Sequence, residues 1–111
     1  MNKYGNRKIT TKDGTFDSLR EFRRWQELKL LERSGEIYDL ERQVPFVIVP
    51  KQLDQNGKLV FREVKYIADF AYKEKGKLVR TVEDAKGVRT EVYKLKKKLL
   101  YYRCGLLIKE I

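Results

Sequence analysis

The sequence predicts a single α/β domain in which helices pack on a mixed β-sheet. The apolar periodicity changes along the chain and gives the order helix, three strands, helix and strand. A strand that leads through a helix to another strand favours a parallel pair, whereas strands joined by turns pair antiparallel. With 111 residues, of which 41% are hydrophobic, the chain can bury one modest core and is too short for two.

The first fifteen residues are predicted to form a basic N-terminal arm and a short hairpin. The opening stretch MNKYGNRK is polar and basic, and we interpret it as a mobile arm. The segment KITTKDGTF contains two short β-type runs around Asp13-Gly14, which is the signal of a type I′ turn. Residues 16–111 then make up the main domain.

The clearest helix lies in SLREFRRWQELKLLERSGE. Ser18 and Glu21 form an S-x-x-E capping box, in which each side chain can bind a backbone N–H of the first turn. Good helix formers follow, and Gly35 provides the stop because glycine adopts the left-handed conformation without penalty. A helix between Ser18 and Gly35 is therefore expected.

Three strands are expected after this helix. The apolar run from Val44 to Val49 is bounded by prolines, which indicates a buried strand with Pro45 at its start. Asn56-Gly57 marks a turn. The run LVFREVKYIADFAY is predicted to be one long strand that Gly76 ends, and LVRTVEDAK the next strand, paired with it as a hairpin.

A second helix is expected from Glu91 to about Arg103, with Thr90 as its cap and Gly105 as its end. One apolar stripe of this helix should face the core, formed by Val92, Leu95, Leu99 and Tyr102. The run LLIKEI is predicted to be the closing strand.

The composition excludes several kinds of chemistry. The chain has no histidine and one cysteine, Cys104, which excludes histidine-based nucleophile pairs and ordinary structural zinc sites. Its seven glycines are scattered, so there is no glycine-rich phosphate loop. The net charge of +10 favours a polyanion as partner, with nucleic acid first and an acidic membrane surface second. No apolar run approaches the roughly 18 residues of a membrane span, and a lone cysteine fits a reducing compartment, so we expect a cytoplasmic protein.

The predicted hairpin brings two aspartates together. A two-residue loop at Gly76-Lys77 places Asp69 directly opposite Asp84, with Cβ atoms roughly 4.5–5.5 Å apart. A four-residue loop makes them diagonal neighbours on the same face, at about 7–8 Å. Lys86 shares the face of Asp84 because side chains alternate along a strand.

Like charges that face one another destabilise a sheet unless something neutralises them. A divalent cation does so, and Mg²⁺ characteristically binds one or two carboxylates together with water and phosphate oxygens. The alternative is that both aspartates lie on a solvated face and pair with neighbouring lysines. The lysine that follows, Lys86, and the basic helix after it favour the metal site.

An aspartate on one strand followed by D-A-K on the next is similar to the bipartite motif of the PD-(D/E)XK nuclease superfamily, and the predicted order of elements resembles its αβββαβ core. Four segments together resemble a family of small phage and prophage proteins described only as a domain of unknown function: FDSLREFRRWQELKLLERSGEIYDLERQVPF, YIADF, VEDAKGVRTEVYKLKKKLLYYR and IKEI. The resemblance covers nearly all of the chain from Phe16 onward. It implies a Mg²⁺- or Mn²⁺-dependent DNA endonuclease in a bacterial host cell, with Holliday junctions or other branched DNA among its candidate substrates, and it leaves a homodimer open.

The resemblance also assigns roles to individual residues. Asp69, Asp84 and the main-chain carbonyl of Ala85 would bind the metal ion. Lys86 would orient or deprotonate the attacking water and stabilise charge on the phosphate. The acidic residue of the superfamily's first helix would fall on Glu21, which can equally serve only as a helix cap.

The sequence departs from the superfamily pattern at one position and is ambiguous at two others. The proline that names the motif is absent, with Ala68 in its place. Glu83 is an accessory candidate, but alternation places only Asp84 on the face of the motif's lysine and leaves Glu83 on the other. Gln43 is a second accessory candidate, suggested by the resemblance, and can equally be a polar strand entrance.

The second helix carries a basic face directly after the proposed site. The candidate DNA-binding residues are Arg89, Lys94, Lys97, Lys98 and Tyr101. They would bind phosphates that flank the scissile one, so that DNA is recognised through its backbone and shape. The alternatives are a solvated amphipathic helix and, for the whole protein, a non-catalytic nucleic-acid-binding protein that keeps the fold. Tyr93 and Tyr101 can stack on an exposed base, but packing is the more common role for such residues.

Overall fold

The computed structural model describes residues 8–85 and 89–111, and within them two helices pack on opposite faces of a four-stranded sheet. The helices are α1 (Leu19–Ser34) and α2 (Glu91–Cys104). The strands are β1 (Ile9–Thr11), β2 (Gly14–Phe16), β3 (Ile37–Val49), β4 (Gln52–Leu53), β5 (Leu59–Phe61), β6 (Val64–Glu74), β7 (Thr81–Asp84) and β8 (Ile108–Glu110). The main sheet has the order β3-β6-β7-β8, in which β7 and β8 are parallel and the other pairs antiparallel. The α/β class with a mixed sheet is therefore confirmed.

Both helices begin and end where their local signals predicted. The hydroxyl of Ser18 accepts a hydrogen bond from the backbone N–H of Glu21 at 3.1 Å, and Gly35 ends α1 with φ of 87°. Thr90 caps α2 in the same way, and Gly105 ends it with φ of 69°. These signals are reliable because they satisfy backbone groups of the helix's own first and last turns.

The N-terminal hairpin is present, but its turn differs from the prediction. The loop consists of Lys12 and Asp13, neither of which has the positive φ that a type I′ turn requires, so that prediction is wrong. Gly14 opens β2 with φ of 118°, and a Cβ there would lie 2.7 Å from a guanidinium nitrogen of Arg42. Phe16 of this hairpin is buried beneath α1. Residues 1–7 of the predicted arm lie outside the described residues.

The strands differ from the predicted ones in length. β3 begins at Ile37 rather than near Val44, so Pro45 lies in mid-strand. The position is tolerated because β3 is an edge of the main sheet, where a missing N–H can face outward. The predicted long strand is interrupted at residues 62–63, and its first part pairs with β4 across the Asn56-Gly57 turn.

The hairpin of β6 and β7 has the direct register, the first of the two predicted, with a longer loop. β7 begins three residues later than predicted, which leaves residues 75–80 between the strands. Phe70 nevertheless pairs with Glu83, and one further step along this register places Asp69 beside Asp84. The predicted end of this strand, Lys86, lies outside the described residues.

The apolar stripe predicted to bury α2 is confirmed only at Leu99, which is partly buried against the core, and is wrong at its other three positions. Val92, Leu95 and Tyr102 are exposed, whereas Tyr93 and Leu100, seven residues apart on another face, are buried. That face packs on Ala71, Val82 and Ile108 of the sheet, a choice that depends on tertiary contacts and not on the apolar pattern of the helix. Within the described residues, no helix is long and apolar enough to cross a membrane.

Candidate active site

The candidate site forms where the side chains of β6 change from one face of the main sheet to the other. In β6, Ala68 belongs to the core beneath α2, whereas Phe70 belongs to the core beneath α1. Regular alternation would place residues two apart on one face, so the strand is rotated at the residue between them, Asp69. The residue of β3 at this level is Gln43, which has φ of 50°, an uncommon conformation for a residue other than glycine. The distortion turns Asp69 toward the end of β7.

Asp69 and Asp84 form a pair at this point. One oxygen of Asp69 accepts a hydrogen bond from the backbone N–H of Ala85 at 2.8 Å. Asp84 is 1% exposed, and one of its oxygens accepts the hydroxyl proton of Tyr66 at 2.6 Å. Burial, a hydrogen bond between the two carboxyl groups and the charge of Asp84 together raise the pKa of Asp69 far above its usual range. The side chains that the sequence predicted to meet are thus in contact.

Glu21 lies beside this pair and is almost fully buried. Its carboxylate accepts hydrogen bonds from the backbone N–H of Asp17 at 3.2 Å and from the side-chain amide of Gln43 at 3.3 Å. Arg42 approaches it at 3.6 Å, and burial raises the pKa of Glu21. Its charge contributes to the raised pKa of Asp69. Glu21 therefore binds the backbone N–H of Asp17, just before the cap residue Ser18, and is also a neighbour of the aspartate pair.

Glu83 faces away from this site. It is fully buried beneath α1, where Nε and Nη2 of Arg24 donate to its two oxygens at 2.7 Å each. The hydroxyl of Tyr72 donates to the same carboxylate. The predicted separation of Glu83 and Asp84 onto opposite faces is confirmed, and Glu83 anchors α1 to the sheet.

The oxygen atoms at the site fit a hard divalent cation. Asp69 and Asp84 offer carboxylate oxygens, and the carbonyl of Ala85 lies next to them in the chain. Residues 8–85 and 89–111 contain no cluster of three or more Asp, Glu or Cys side chains that could hold a metal ion. Two carboxylates are sufficient for Mg²⁺, which keeps several waters in its coordination shell. Lys86, the predicted catalytic lysine, lies outside the described residues.

Comparison with known proteins gives one match. Residues 1–109 match the model of the family described as "Protein of unknown function (DUF1064)". The chain belongs to the DUF1064 family. No curated protein and no solved structure matches it. The predicted resemblance to a family of unknown function is consistent with this match, while its nuclease and phage aspects stay predictions.

The predicted DNA-binding residues of the DUF1064 protein lie on the surface. Lys94 pairs with Glu91 at 3.3 Å, Lys98 is exposed, and Tyr101 is 54% exposed. Lys97 is half-buried and lies 3.4 Å from Glu110. The exposure of Tyr101 shows that the packing role does not apply to it.

Glu110 is held by three residues around α2. Tyr93, which is buried as a packing residue, donates its hydroxyl proton to Glu110 at 2.6 Å. Arg89 donates to the other oxygen at 2.8 Å, and Lys97 adds a favourable charge. The two hydrogen bonds lower the pKa of Glu110 to about 2. Arg89 is therefore exposed but already engaged with a carboxylate.

Sequence reasoning missed the role of Tyr66 in this site and the ion pair of Glu83 with Arg24 on the opposite face of β7. Tyr66 precedes Asp69 by three positions, so regular alternation places the two side chains on opposite faces of the strand. The change of face at Asp69 brings Tyr66 to the same side as Asp84. The pairing of Glu83 with Arg24 joins residues 59 positions apart, and no local pattern indicates it.

Proposed function

We propose that this DUF1064 protein is a metal-dependent DNA endonuclease of the PD-(D/E)XK type, which hydrolyses phosphodiester bonds. The observation that carries the proposal is the contact between Asp69 and Asp84 in a buried setting. Burial and the contact with Asp84 raise the pKa of Asp69, and two carboxylates held together in this way destabilise a fold unless a positive charge neutralises them. Such sites with strongly perturbed pKa values occur preferentially at functional positions.

The order of elements supports the same proposal. Helix α1, strands β3, β6 and β7, helix α2 and strand β8 follow the αβββαβ order of the superfamily core. Asp69 lies on the second of these core strands and Asp84 at the end of the third, as the resemblance requires. The acidic residue expected in the first helix, Glu21, lies beside them.

The residues present indicate how the site would work. Asp69, Asp84 and the Ala85 carbonyl would hold Mg²⁺ or Mn²⁺, which when bound neutralises charge on the phosphate and lowers the pKa of water. The hydrogen bond from Tyr66 fixes one oxygen of Asp84, so its other oxygen is oriented by the protein. Lys86 is the residue proposed to orient or deprotonate the attacking water.

The basic surface of α2 supports DNA as the substrate. The helix follows the proposed site after a short connection, so its lysines are placed to bind phosphates on either side of the scissile one. The candidates on this surface are Arg89, Lys94, Lys97, Lys98 and Tyr101. Under this proposal the protein works in the cytoplasm of a bacterial host as a phage or prophage product, on DNA that includes branched recombination intermediates.

The proposal is tested by cleavage assays with Mg²⁺ or Mn²⁺ on linear, nicked and four-way-junction DNA. Asp69→Asn and Asp84→Asn should each abolish cleavage and leave DNA affinity equal or higher, because each removes a negative charge near a phosphate. Asp39→Asn is the matched control: Asp39 is exposed, and asparagine tolerates its left-handed backbone. Cleavage by both site variants at the wild-type rate would refute the proposal.

A non-catalytic nucleic-acid-binding protein is the second candidate. It is favoured by the fact that Asp69 and Asp84 already accept hydrogen bonds from Ala85 and Tyr66. Titration with Mn²⁺ separates the two candidates, since a nuclease site should bind it and both aspartate variants should lose that binding. Absence of specific Mn²⁺ binding, together with retained DNA affinity, would favour the second candidate.

A further inference from the structure

Helix α2 and the segment after it line an open groove of about 930 Å³. Glu91 and Lys97 line part of it, and the groove is defined here by six further basic, aromatic and aliphatic residues: Lys94, Leu95, Lys98, Tyr101, Tyr102 and Leu107. Tyr102 is 86% exposed and Leu107 is 70% exposed. The groove therefore exposes to solvent an apolar surface that does not pack against the core of the domain.

The charge of the groove indicates what kind of molecule occupies it. The charged residues that line the groove are three lysines and one glutamate, Lys94, Lys97, Lys98 and Glu91. A second copy of the chain would bring the same positive charge against this surface, which is unfavourable. A polyanion is attracted to it.

The apolar part of the groove narrows the choice among polyanions. Duplex DNA presents phosphates and sugars along its outside, so it would satisfy the lysines and leave the tyrosines and leucines unused. An unpaired strand offers both phosphates and the flat faces of its bases, and aromatic side chains stack on such bases without regard to sequence. The combination of Tyr101 and Tyr102 with Lys94 and Lys98 suits the unpaired strand.

We propose that the α2 groove, as defined by these six residues, binds unpaired nucleotides of the DNA substrate. The bases stack on Tyr101 and Tyr102, and Lys94 and Lys98 bind the phosphates. Tyr101 lies ten residues beyond the start of α2, about 15 Å along the helix axis, so the unpaired segment runs away from the aspartate pair. The assignment of this strand to the substrate rests on the proposed nuclease function, and it names DNA with a single-stranded segment beside the cleavage point as the substrate class.

The test measures binding by the full chain carrying Asp84→Asn, with no divalent metal, so that no DNA is cut. Fluorescence anisotropy compares a labelled oligothymidylate with a blunt duplex of the same length. The double variant Tyr101→Ala/Tyr102→Ala should bind the single strand about 5- to 150-fold more weakly for each stack lost. Its affinity for the duplex should hardly change. The variant Tyr101→Phe/Tyr102→Phe should keep single-strand affinity, because stacking does not need the hydroxyl groups.

Tyr38→Ala is the matched control, because Tyr38 is similarly exposed at 47% but lies on β3, outside the groove. An unchanged single-strand affinity of the double alanine variant, or an equal loss for duplex, would overturn the proposal. The proposal would also be overturned if the double alanine variant lost self-association, or binding to anionic vesicles, while its affinity for the single strand stayed unchanged. Cleavage assays keep the two proposals apart: single-strand binding through the groove without any cleavage refutes the nuclease alone. Cleavage with a groove that does not bind refutes this inference alone.

Discussion

Glu83 and Asp84 are adjacent in β7, yet their amide variants should fail in different ways. The carboxylate of Glu83 is fully buried and accepts two hydrogen bonds of 2.7 Å from Arg24. Removing one partner of a buried ion pair costs about 3–5 kcal/mol of unfolding free energy. In Glu83→Gln, Arg24 retains its ion pair with Glu27 at 3.1 Å, and its side chain is 19% exposed. We therefore expect a loss of unfolding free energy at the lower end of this range, about 3 kcal/mol. For a domain of this size the thermal midpoint should then fall by about 12 °C.

Asp84→Asn should show the opposite behaviour. The change removes a negative charge beside Asp69, so the unfolding free energy without metal should stay level or rise. Cleavage should be lost, because a proposed metal ligand is missing. Glu83→Gln keeps that ligand, and a domain with the usual 5–15 kcal/mol, roughly, remains mostly folded after the expected loss. At temperatures well below its melting midpoint, Glu83→Gln should therefore cut DNA at close to the wild-type rate.

Two measurements on the same preparations test this contrast. Urea unfolding in EDTA, followed by fluorescence of the single tryptophan, Trp25, gives the unfolding free energies. Cleavage with Mn²⁺ gives the rates. Glu27→Gln is the control, because Glu27 is 62% exposed and should contribute less than about 1 kcal/mol. Loss of cleavage in Glu83→Gln without loss of stability, or strong destabilisation by Asp84→Asn, would refute the assignment of the two carboxylates.

Three further predictions concern charge. Asp69→Asn should leave the calorimetric midpoint without metal level or higher, since like-charge repulsion is relieved; a large decrease would instead assign the pair a structural role. Replacing Lys94, Lys97 and Lys98 by glutamine should flatten the slope of log K against log salt by roughly 2–3 units, measured on unrelated duplexes with Ca²⁺ blocking catalysis. An unchanged slope would place the DNA elsewhere. Folding lowers the pKa of Glu110 from 4.5 to about 2, so its stabilising contribution is complete above pH 4.5 and is lost as the pH falls toward 2. Glu110→Gln should remove this part of the acid-unfolding curve, and a curve identical to that of the wild type would contradict the prediction.

The sequence by itself determined the helices and the pairing of the aspartates. Ser18 and Thr90 cap the two helices because each side chain accepts a hydrogen bond from a backbone N–H of the first turn. Gly35 and Gly105 end the helices because glycine readily adopts the left-handed conformation found there. Alternation excluded a one-residue shift of β6 against β7, which would turn the apolar side chains of both strands away from the core, and left two registers open, of which the structure has the direct one. That register places Asp69 beside Asp84 even though the loop is longer than predicted.

The tertiary structure decided which surfaces are used. The rotation at Asp69, opposite Gln43, depends on two helices that pack on opposite faces of the same strands, and alternation along a single strand does not contain it. The same holds for α2, whose buried face follows Tyr93 and Leu100 because the sheet beneath accepts them and Glu110 satisfies the tyrosine hydroxyl. Local patterns fix what a residue can do with its near neighbours in the chain. Contacts between distant elements fix which side it faces, and here they leave Leu95 and Tyr102 of the predicted stripe exposed in the α2 groove.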